Sequence, residues 1–277
     1  MFTKLHQIEI TWIEKIQELL KGPFLDLFFL GWNFIDSFAF ITLLITVIWH
    51  LINRKKGIQF FFLLILSAAV SDGLKHFFGT TRPCHINPSL GLLCLPSYGF
   101  PSGAAQTAVI FASIIFFETK KWIYRSLAVL FAFFLCFSRI YLGVHYISDI
   151  LGGIIVGIVI MIFYQMAFPI MEKNWKKTFF LFPLAIFFIG SLHAFIFVSF
   201  TLGVELGLIA QGTKPIHPKK MPEKFLTTFV VIIGLYFLAF GEKYSDPLRL
   251  IFGFVMGAWL SYLGEWSIYT IKGLIRR

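Results

Sequence analysis

The chain has 277 residues, 58% of them hydrophobic and 14% charged, with phenylalanine alone occurring 36 times. A water-soluble domain carries charge on nearer a quarter of its residues and could not bury this much apolar surface, so a soluble globular class is excluded. The net charge of +10 does not point to nucleic acid, because the basic residues gather in short loops between apolar runs, where Lys and Arg set membrane orientation.

The first predicted element covers residues 1–22. It carries Glu9, Glu14, Lys15 and Glu18 and no apolar h-region, so it does not read as a cleavable signal peptide. Leu5, Ile8, Trp12, Ile16 and Leu19 recur near helical spacing. That pattern suits a surface helix lying on the membrane, and equally an ordinary packing helix. Apolar runs follow near 28–51, 58–77, 103–118, 123–142 and 149–169, then near 178–199, 226–241 and 249–268. Since a span needs roughly 20 apolar residues, the expectation is an all-α polytopic membrane protein of about eight spans. It divides into the N-terminal segment, a membrane core over 23–170 and further membrane helices over 171–277. The stretch 200–211 is apolar but short; it either extends the preceding helix or returns part-way as a re-entrant piece.

Charge in the loops orients the core. Arg54, Lys55 and Lys56 follow the first span, Lys120, Lys121 and Arg125 the third, and Lys173, Lys176 and Lys177 the fifth. These alternate loops should be cytoplasmic, so 78–102 and 142–149 should face outward. Lys214, Lys219, Lys220 and Lys224 make a further basic loop that fits the alternation only if 178–211 crosses twice, which leaves the C-terminal topology open. Of the three cysteines, Cys136 lies inside an apolar run and reads as a small core residue. Cys84 and Cys94 share one loop and can form a disulfide if that loop faces an oxidising compartment. No Cys/His spacing suggests zinc.

Three outward segments hold polar residues unusual at a membrane boundary: KHFFGTTRP at 75–83, Pro101-Ser102-Gly103 at the start of the third span, and SRIYLGVHYISD at 138–149. Arg82 and Arg139 offer planar forks of donors suited to phosphate, and Lys75 adds a point charge. Ser102 and Gly103 place a hydroxyl and backbone N–H groups at a helix N-terminus, where the dipole favours an anion. His145 and Asp149 are four apart and share a helical face, so the carboxylate can hold one ring nitrogen protonated and leave the other as a nucleophile. Together these residues suggest phosphoryl transfer through a phosphohistidine. No metal and no cofactor is expected, because the cations stabilise the charge instead.

The spacings K-x6-R-P, P-S-G and S-R-x5-H-x3-D resemble the three-part signature of the type 2 phosphatidic acid phosphatase superfamily, over roughly residues 20–170. The resemblance implies a lipid phosphatase core in which Lys75, Arg82, Ser102, Gly103 and Arg139 bind phosphate, His145 attacks phosphorus and Asp149 orients it. RPCHINP and YGFPSG are similar to bacterial and sphingosine-phosphate-type members, which implies a site on the non-cytoplasmic side, here of a bacterial inner membrane. The departure is Ala104, where the family pattern has the histidine that protonates the leaving group. Losing a general acid costs about 10²–10⁴ in rate. A phosphate leaving from a diphosphate suffers least, so a polyprenyl diphosphate is the favoured substrate, ahead of phosphatidate-like and lipid A-type phosphates. His85 and Tyr98 are candidate substitute acids. The alternative is a non-catalytic lipid-phosphate-binding pseudophosphatase or transport-related membrane protein. The expected partners are a membrane lipid phosphate and the bilayer, not nucleic acid. Asp36, His193, Glu205 and Glu265, in or near apolar runs, read mostly as helix–helix hydrogen-bonding residues; His50 and His76 read as interfacial, and His217 as part of a headgroup-contacting loop.

Overall fold

A computed structural model describes residues 2–173, 195–213, 218, 220–239 and 246–275. Among them every regular element is helical. The helices are α1 (Phe2–Leu20), α2 (Pro23–Ile35), α3 (Phe38–Val47), α4 (Arg54–Phe78), α5 (Pro83–Ile86), α6 (Gly103–Glu118), α7 (Trp122–Tyr141), α8 (Ile147–Lys173), α9 (Phe195–Thr213), α10 (Met221–Ala239), α11 (Asp246–Ala258) and α12 (Gly264–Ile275). Short π-helical turns at Ile48–Ile52 and Trp259–Leu263 prolong α3 and α11.

Six helical segments among the described residues are long and apolar enough to cross a membrane: Arg54–Ile86, Trp122–Tyr141, Ile147–Met166, Phe195–Gly212, Met221–Ala239 and Pro247–Ile271. The pair Pro23–Ile35 and Phe38–Ile52, bent by 59°, makes a seventh if counted as one span. The run at 103–118, expected to span, forms a helix of 16 residues. At 1.5 Å per residue it is about 24 Å long, short of a hydrocarbon core of about 30 Å. The expected span at 178–199 lies mostly outside the described residues, as do His193 and His217. Residues 200–211 form no re-entrant piece; they lie within the continuous helix α9.

The chain separates into two compact units, one formed by Met1–Ile41 with Val70–Ala167 and the other by Thr42–Ala69 with Phe168–Arg277. Residues 42–69, on the N-terminal side of the signature segments, thus belong with the later helices.

In the first unit, α2 begins at Gly22-Pro23 with proline in its first turn, where a missing N–H costs nothing and φ is already helical. Phe29 of α2 packs on Tyr141, Leu142 and Val144 at the end of α7. α1 closes over the same loops: Ile13 is fully buried against Leu90 and Tyr146, a burial that contributes about 2 kcal/mol. Leu5, Ile8, Trp12 and Leu19 of α1 are exposed. The turn from α7 to α8 needs glycine at 143, which has φ 69° and where a Cβ would stand 2.1 Å from the Leu90 carbonyl oxygen. α8 crosses the start of α6 so closely that a Cβ at Gly153 would lie 2.4 Å from the Ser102 carbonyl oxygen. α7 and α8 turn Ile123, Leu130, Phe133, Leu151, Ile155 and Ile162 outward, as lipid-facing surfaces do.

In the second unit, a polar network ties α9 and α12 to the first π turn and the start of α4. His50 Nδ1 lies 3.0 Å from Glu265 Oε1, and its Nε2 lies 2.9 Å from the Leu260 carbonyl oxygen. Arg54 donates to Glu265 Oε1 at 3.0 Å and to the Gln211 side-chain oxygen, and Gln211 donates to Glu265 Oε2. Both π turns serve this network, one carrying His50 and the other offering the Leu260 carbonyl. His50, read as interfacial from its place at a span end, is therefore buried; its two ring nitrogens both find partners inside the unit. Glu205 is also buried, but neither carboxylate oxygen has a hydrogen-bond partner.

Candidate active site

Helix ends bring the three signature segments together in the first unit. Lys75 sits in the last turn of α4, Arg82 just before α5, Ser102 at the N-cap of α6, Arg139 in the last turn of α7, and Asp149 in the first turn of α8. The Ser102 side chain accepts from the Ala105 N–H at 3.4 Å, and the Ser102 N–H donates to the Asp149 carbonyl oxygen at 3.0 Å. The start of α6 is thereby tied to the start of α8.

The tautomer of His145 follows from its partners. Nδ1 is 3.2 Å from Asp149 Oδ2, and Nε2 is 3.1 Å from Arg82 Nη1. A carboxylate only accepts and a guanidinium only donates, so Nδ1 carries the hydrogen and Nε2 presents its lone pair. Burial, followed by the charges of Arg82, Lys75 and Arg139, holds the ring well below its usual pKa of 6.5, which keeps it neutral. Asp149 Oδ2 also accepts from the Tyr146 N–H at 3.0 Å, while its Oδ1 is buried without a partner. The Tyr146 phenol, pushed up to about 12 by burial and by Asp149 and Glu9, stays protonated.

The two arginines are used differently. Arg82, 1% exposed, donates from Nε to the Ser97 carbonyl oxygen at 2.6 Å, from Nη2 to the Ser97 hydroxyl at 2.9 Å, and from Nη1 to the Val144 carbonyl oxygen at 2.7 Å and to His145. It locks the loop carrying His145 and has little left to offer an anion. Arg139, 2% exposed, donates from Nη1 to Asn33 Oδ1 at 2.9 Å and lies 3.6 Å from Asp36 Oδ2. Its Nη2 is buried and without a partner. Lys75 is half-buried and within Coulombic reach of Arg82, Asp36, Asp72 and Asp149. An anion seated between Lys75 and Arg139 Nη2 would meet unengaged donors.

Cys84 and Cys94 are joined by a disulfide with their Cα atoms 5.8 Å apart. His85 donates to or accepts from nothing in the cluster; its Nε2 lies 3.0 Å from the Leu95 carbonyl oxygen at an exposed position. Tyr98 is exposed and packs edge-on to His76. Neither candidate substitute acid joins the cluster. Ala104 is buried with Ala108 and Leu135, against Trp32 and Cys136.

Several residues here carried no motif signal. Ser71, one turn before Lys75 on α4, has a buried hydroxyl without a partner, 3.3 Å from where a Cβ on Gly103 would be. Glu9 accepts from the Ser148 N–H at 2.7 Å and from the Ser148 hydroxyl at 3.0 Å. Gln17 donates to the carbonyl oxygens of Leu90 and Tyr141 at 2.8 and 2.7 Å. The only sequence sign of such roles is that Glu9 and Gln17 stand off the apolar stripe of α1.

Residues 56–176 match the model of the PAP2 superfamily. The chain is 28% identical over 107 residues to an undecaprenyl-diphosphatase of Sulfolobus acidocaldarius, covering 38% of this chain and 52% of that protein. It is 28% identical over 174 residues to a lipid A 4'-phosphatase of Porphyromonas gingivalis, covering 56% of this chain and 71% of that one. The chain thus spans about half the length of the first of these relatives and under three quarters of the second. The crystal structure of a transmembrane PAP2 type phosphatidylglycerolphosphate phosphatase from Bacillus subtilis aligns with a TM-score of 0.49 at 24% identity, over 61% of this chain and 87% of that one. In its three signature segments and the stretch 56–176 that they occupy, the chain is similar to the PAP2 superfamily, with alanine at the position that follows Pro-Ser-Gly.

Proposed function

We propose that this protein is a membrane lipid phosphatase acting through a phosphohistidine on His145. The observation that carries the reading is the orientation of that ring: Nδ1–H faces Asp149, and the Nε2 lone pair faces a cluster with three cations. The phosphate sits against Lys75, Arg139 and the N-terminus of α6, where Ser102 and Gly103 present the helix end. Nε2 attacks phosphorus, the P–O bond to the leaving group breaks, and Asp149 stabilises the imidazolium that forms. Water then cleaves the N–P bond and releases phosphate.

A polyprenyl diphosphate is the substrate this site serves best. Its leaving phosphate departs as a stable anion, so the alanine at 104 costs it less than it costs an ester whose alkoxide needs a proton. The name of the Sulfolobus relative supports the same class. The site faces the non-cytoplasmic side of a bacterial inner membrane. The loop charges support that side, and so does the Cys84–Cys94 disulfide beside the site, since such bonds persist in oxidising compartments.

The test is phosphate release by the purified protein from a lipid diphosphate and from a lipid monophosphate, without added metal, beside His145→Ala. Turnover by the wild type with a loss of roughly 10⁴-fold or more in His145→Ala is expected. Activity that survives in His145→Ala would sink the phosphohistidine mechanism. A wild type that releases nothing, while Ala104→His does, would favour the non-catalytic lipid-phosphate-binding reading that the alanine at 104 raises.

A further inference from the structure

We propose that Asp36 is the proton donor missing at position 104: it protonates the oxygen leaving from phosphorus when that oxygen belongs to an alkyl ester. The proposal rests on the phosphatase reading above and widens it from diphosphates to lipid monophosphates.

Asp36 is the residue after α2, at the 59° bend into α3, and its backbone N–H is held by the Trp32 carbonyl oxygen at 3.2 Å. Its carboxylate reaches 3.6 Å from Arg139 Nη1, beside the Asn33 oxygen on the same nitrogen. Trp32, four residues earlier, packs in the cluster that buries Ala104. Cys136 of that cluster lies one helical turn before Arg139 and within Coulombic reach of Asp36. The α2–α3 bend and the last turns of α7 therefore border both Asp36 and position 104. A fifth of the Asp36 side chain remains accessible, whereas Arg139 is nearly sealed. The charged and titratable groups facing Asp36 are Arg139 and Cys136 from α7 and Lys75 from α4.

In the resting site Asp36 faces two cations, Arg139 at 3.6 Å and Lys75. A bound phosphate dianion engages the same two cations, and a second negative charge beside it is then disfavoured. Two acidic groups crowded in this way share a proton, so substrate binding itself loads Asp36. In the first step the His145 Nε2 lone pair forms the N–P bond. The P–O bond breaks with its electron pair on the leaving oxygen, and the Asp36 proton moves to that oxygen, giving a neutral alcohol and an Asp36 carboxylate. In the second step water attacks phosphorus, its proton passes to Asp36, and the N–P pair returns to Nε2. Each group ends as it began.

The decisive variant is Asp36→Asn, which keeps the shape and hydrogen-bonding capacity but has no acid proton. Two probes separate chemistry from positioning: a short-chain phosphatidate, whose alkoxide needs a proton, and p-nitrophenyl phosphate, whose phenolate does not. The expected result is a fall in kcat of about 10²–10³-fold on the phosphatidate and less than about tenfold on the aryl ester, with KM little changed on either. The aryl ester also reports that the variant has folded. Equal losses on both probes would show that Asp36 only positions Arg139 and would overturn the proposal, as would full phosphatidate turnover by Asp36→Asn. A wild type inert on both probes and on a lipid diphosphate would instead refute the phosphatase reading, and this proposal with it.

Discussion

Each unit of the molecule buries a cluster of ionisable side chains, and the two clusters are built on opposite plans. In the second unit, His50, Arg54, Gln211 and Glu265 close on one another: both oxygens of Glu265 accept, and both ring nitrogens of His50 have partners. In the first unit Lys75, Arg82 and Arg139 stand among Asp36, Asp72 and Asp149, and buried polar atoms are left over at Arg139 Nη2, Asp149 Oδ1 and Ser71 Oγ. A buried donor without a partner costs about 1–3 kcal/mol. A fold tolerates that cost where a ligand later meets the donor, and a closed network has no such vacancy. The difference supports the proposal that the first cluster is a site, whereas the second closes on itself as a fastening between helices.

The sharpest way to break this comparison is to remove one charged side chain from each cluster and read chemistry and stability separately. Lys75→Met in the first unit should lower kcat/KM by about 10²–10³-fold, the loss expected when one charge-stabilising donor is removed from a transition state. It should also move the pH profile. His145 is held below 6.5 by burial first and by Arg82, Lys75 and Arg139 after it, so the wild-type nucleophile stays neutral and active below pH 6.5 and loses activity only at lower pH. Removing the lysine charge weakens that push, so the acid limb of kcat/KM for the free enzyme should rise toward 6.5. A limb that stays in place would mean that Lys75 does not act on the nucleophile.

The matching change in the second unit is Glu265→Ala. It leaves Arg54, His50 and Gln211 without their shared acceptor, and breaking a buried ion pair from one side costs about 3 kcal/mol. Thermal unfolding in detergent should shift down accordingly, while turnover per folded molecule on a lipid diphosphate stays within about twofold, because a fastening has no part in the chemistry. A loss of turnover comparable to that of Lys75→Met, in protein that remains folded, would erase the distinction between the clusters.

How much of this is written in the linear chain depends on the range of each interaction. The helical class follows from hydropathy alone, and the pair His145/Asp149 follows from a spacing of four within one turn of helix. Lys75, Arg82, Ser102, Gly103 and Arg139 are legible because each sits at a helix end, where a polar residue interrupts an apolar run. Asp36 is not legible in the same way: it also ends an apolar run, but its meaning depends on Arg139, 103 positions away. The hydropathy reading finds α6 at 103–118 but counts it as a span, because it does not register that Ser102 and Thr119 cap the helix before it reaches that length. His50 looked interfacial because its partner Glu265 lies 215 residues later, and no local pattern announces such a contact.

The mildest change expected to matter lies on α1. The apolar stripe of that helix faces outward at Leu5, Ile8 and Trp12, while Glu9 on the other side is only 5% exposed. Both Glu9 oxygens accept from Ser148, one from its N–H and one from its hydroxyl, so a residue more than a hundred positions away caps the N-terminus of α8. The first turn of α8 carries Asp149, and any play there reaches His145 through a single hydrogen bond. Glu9→Ala should therefore act as the loss of an N-cap, costing about 1 kcal/mol. The shift in unfolding temperature should be small, and kcat should fall several-fold at unchanged KM. Glu9→Gln should recover most of both, because its amide oxygen still accepts from the Ser148 N–H. If Glu9→Ala instead raised KM and Glu9→Gln did not restore it, Glu9 would be touching substrate, and α1 would belong to the site itself rather than to the frame that holds it.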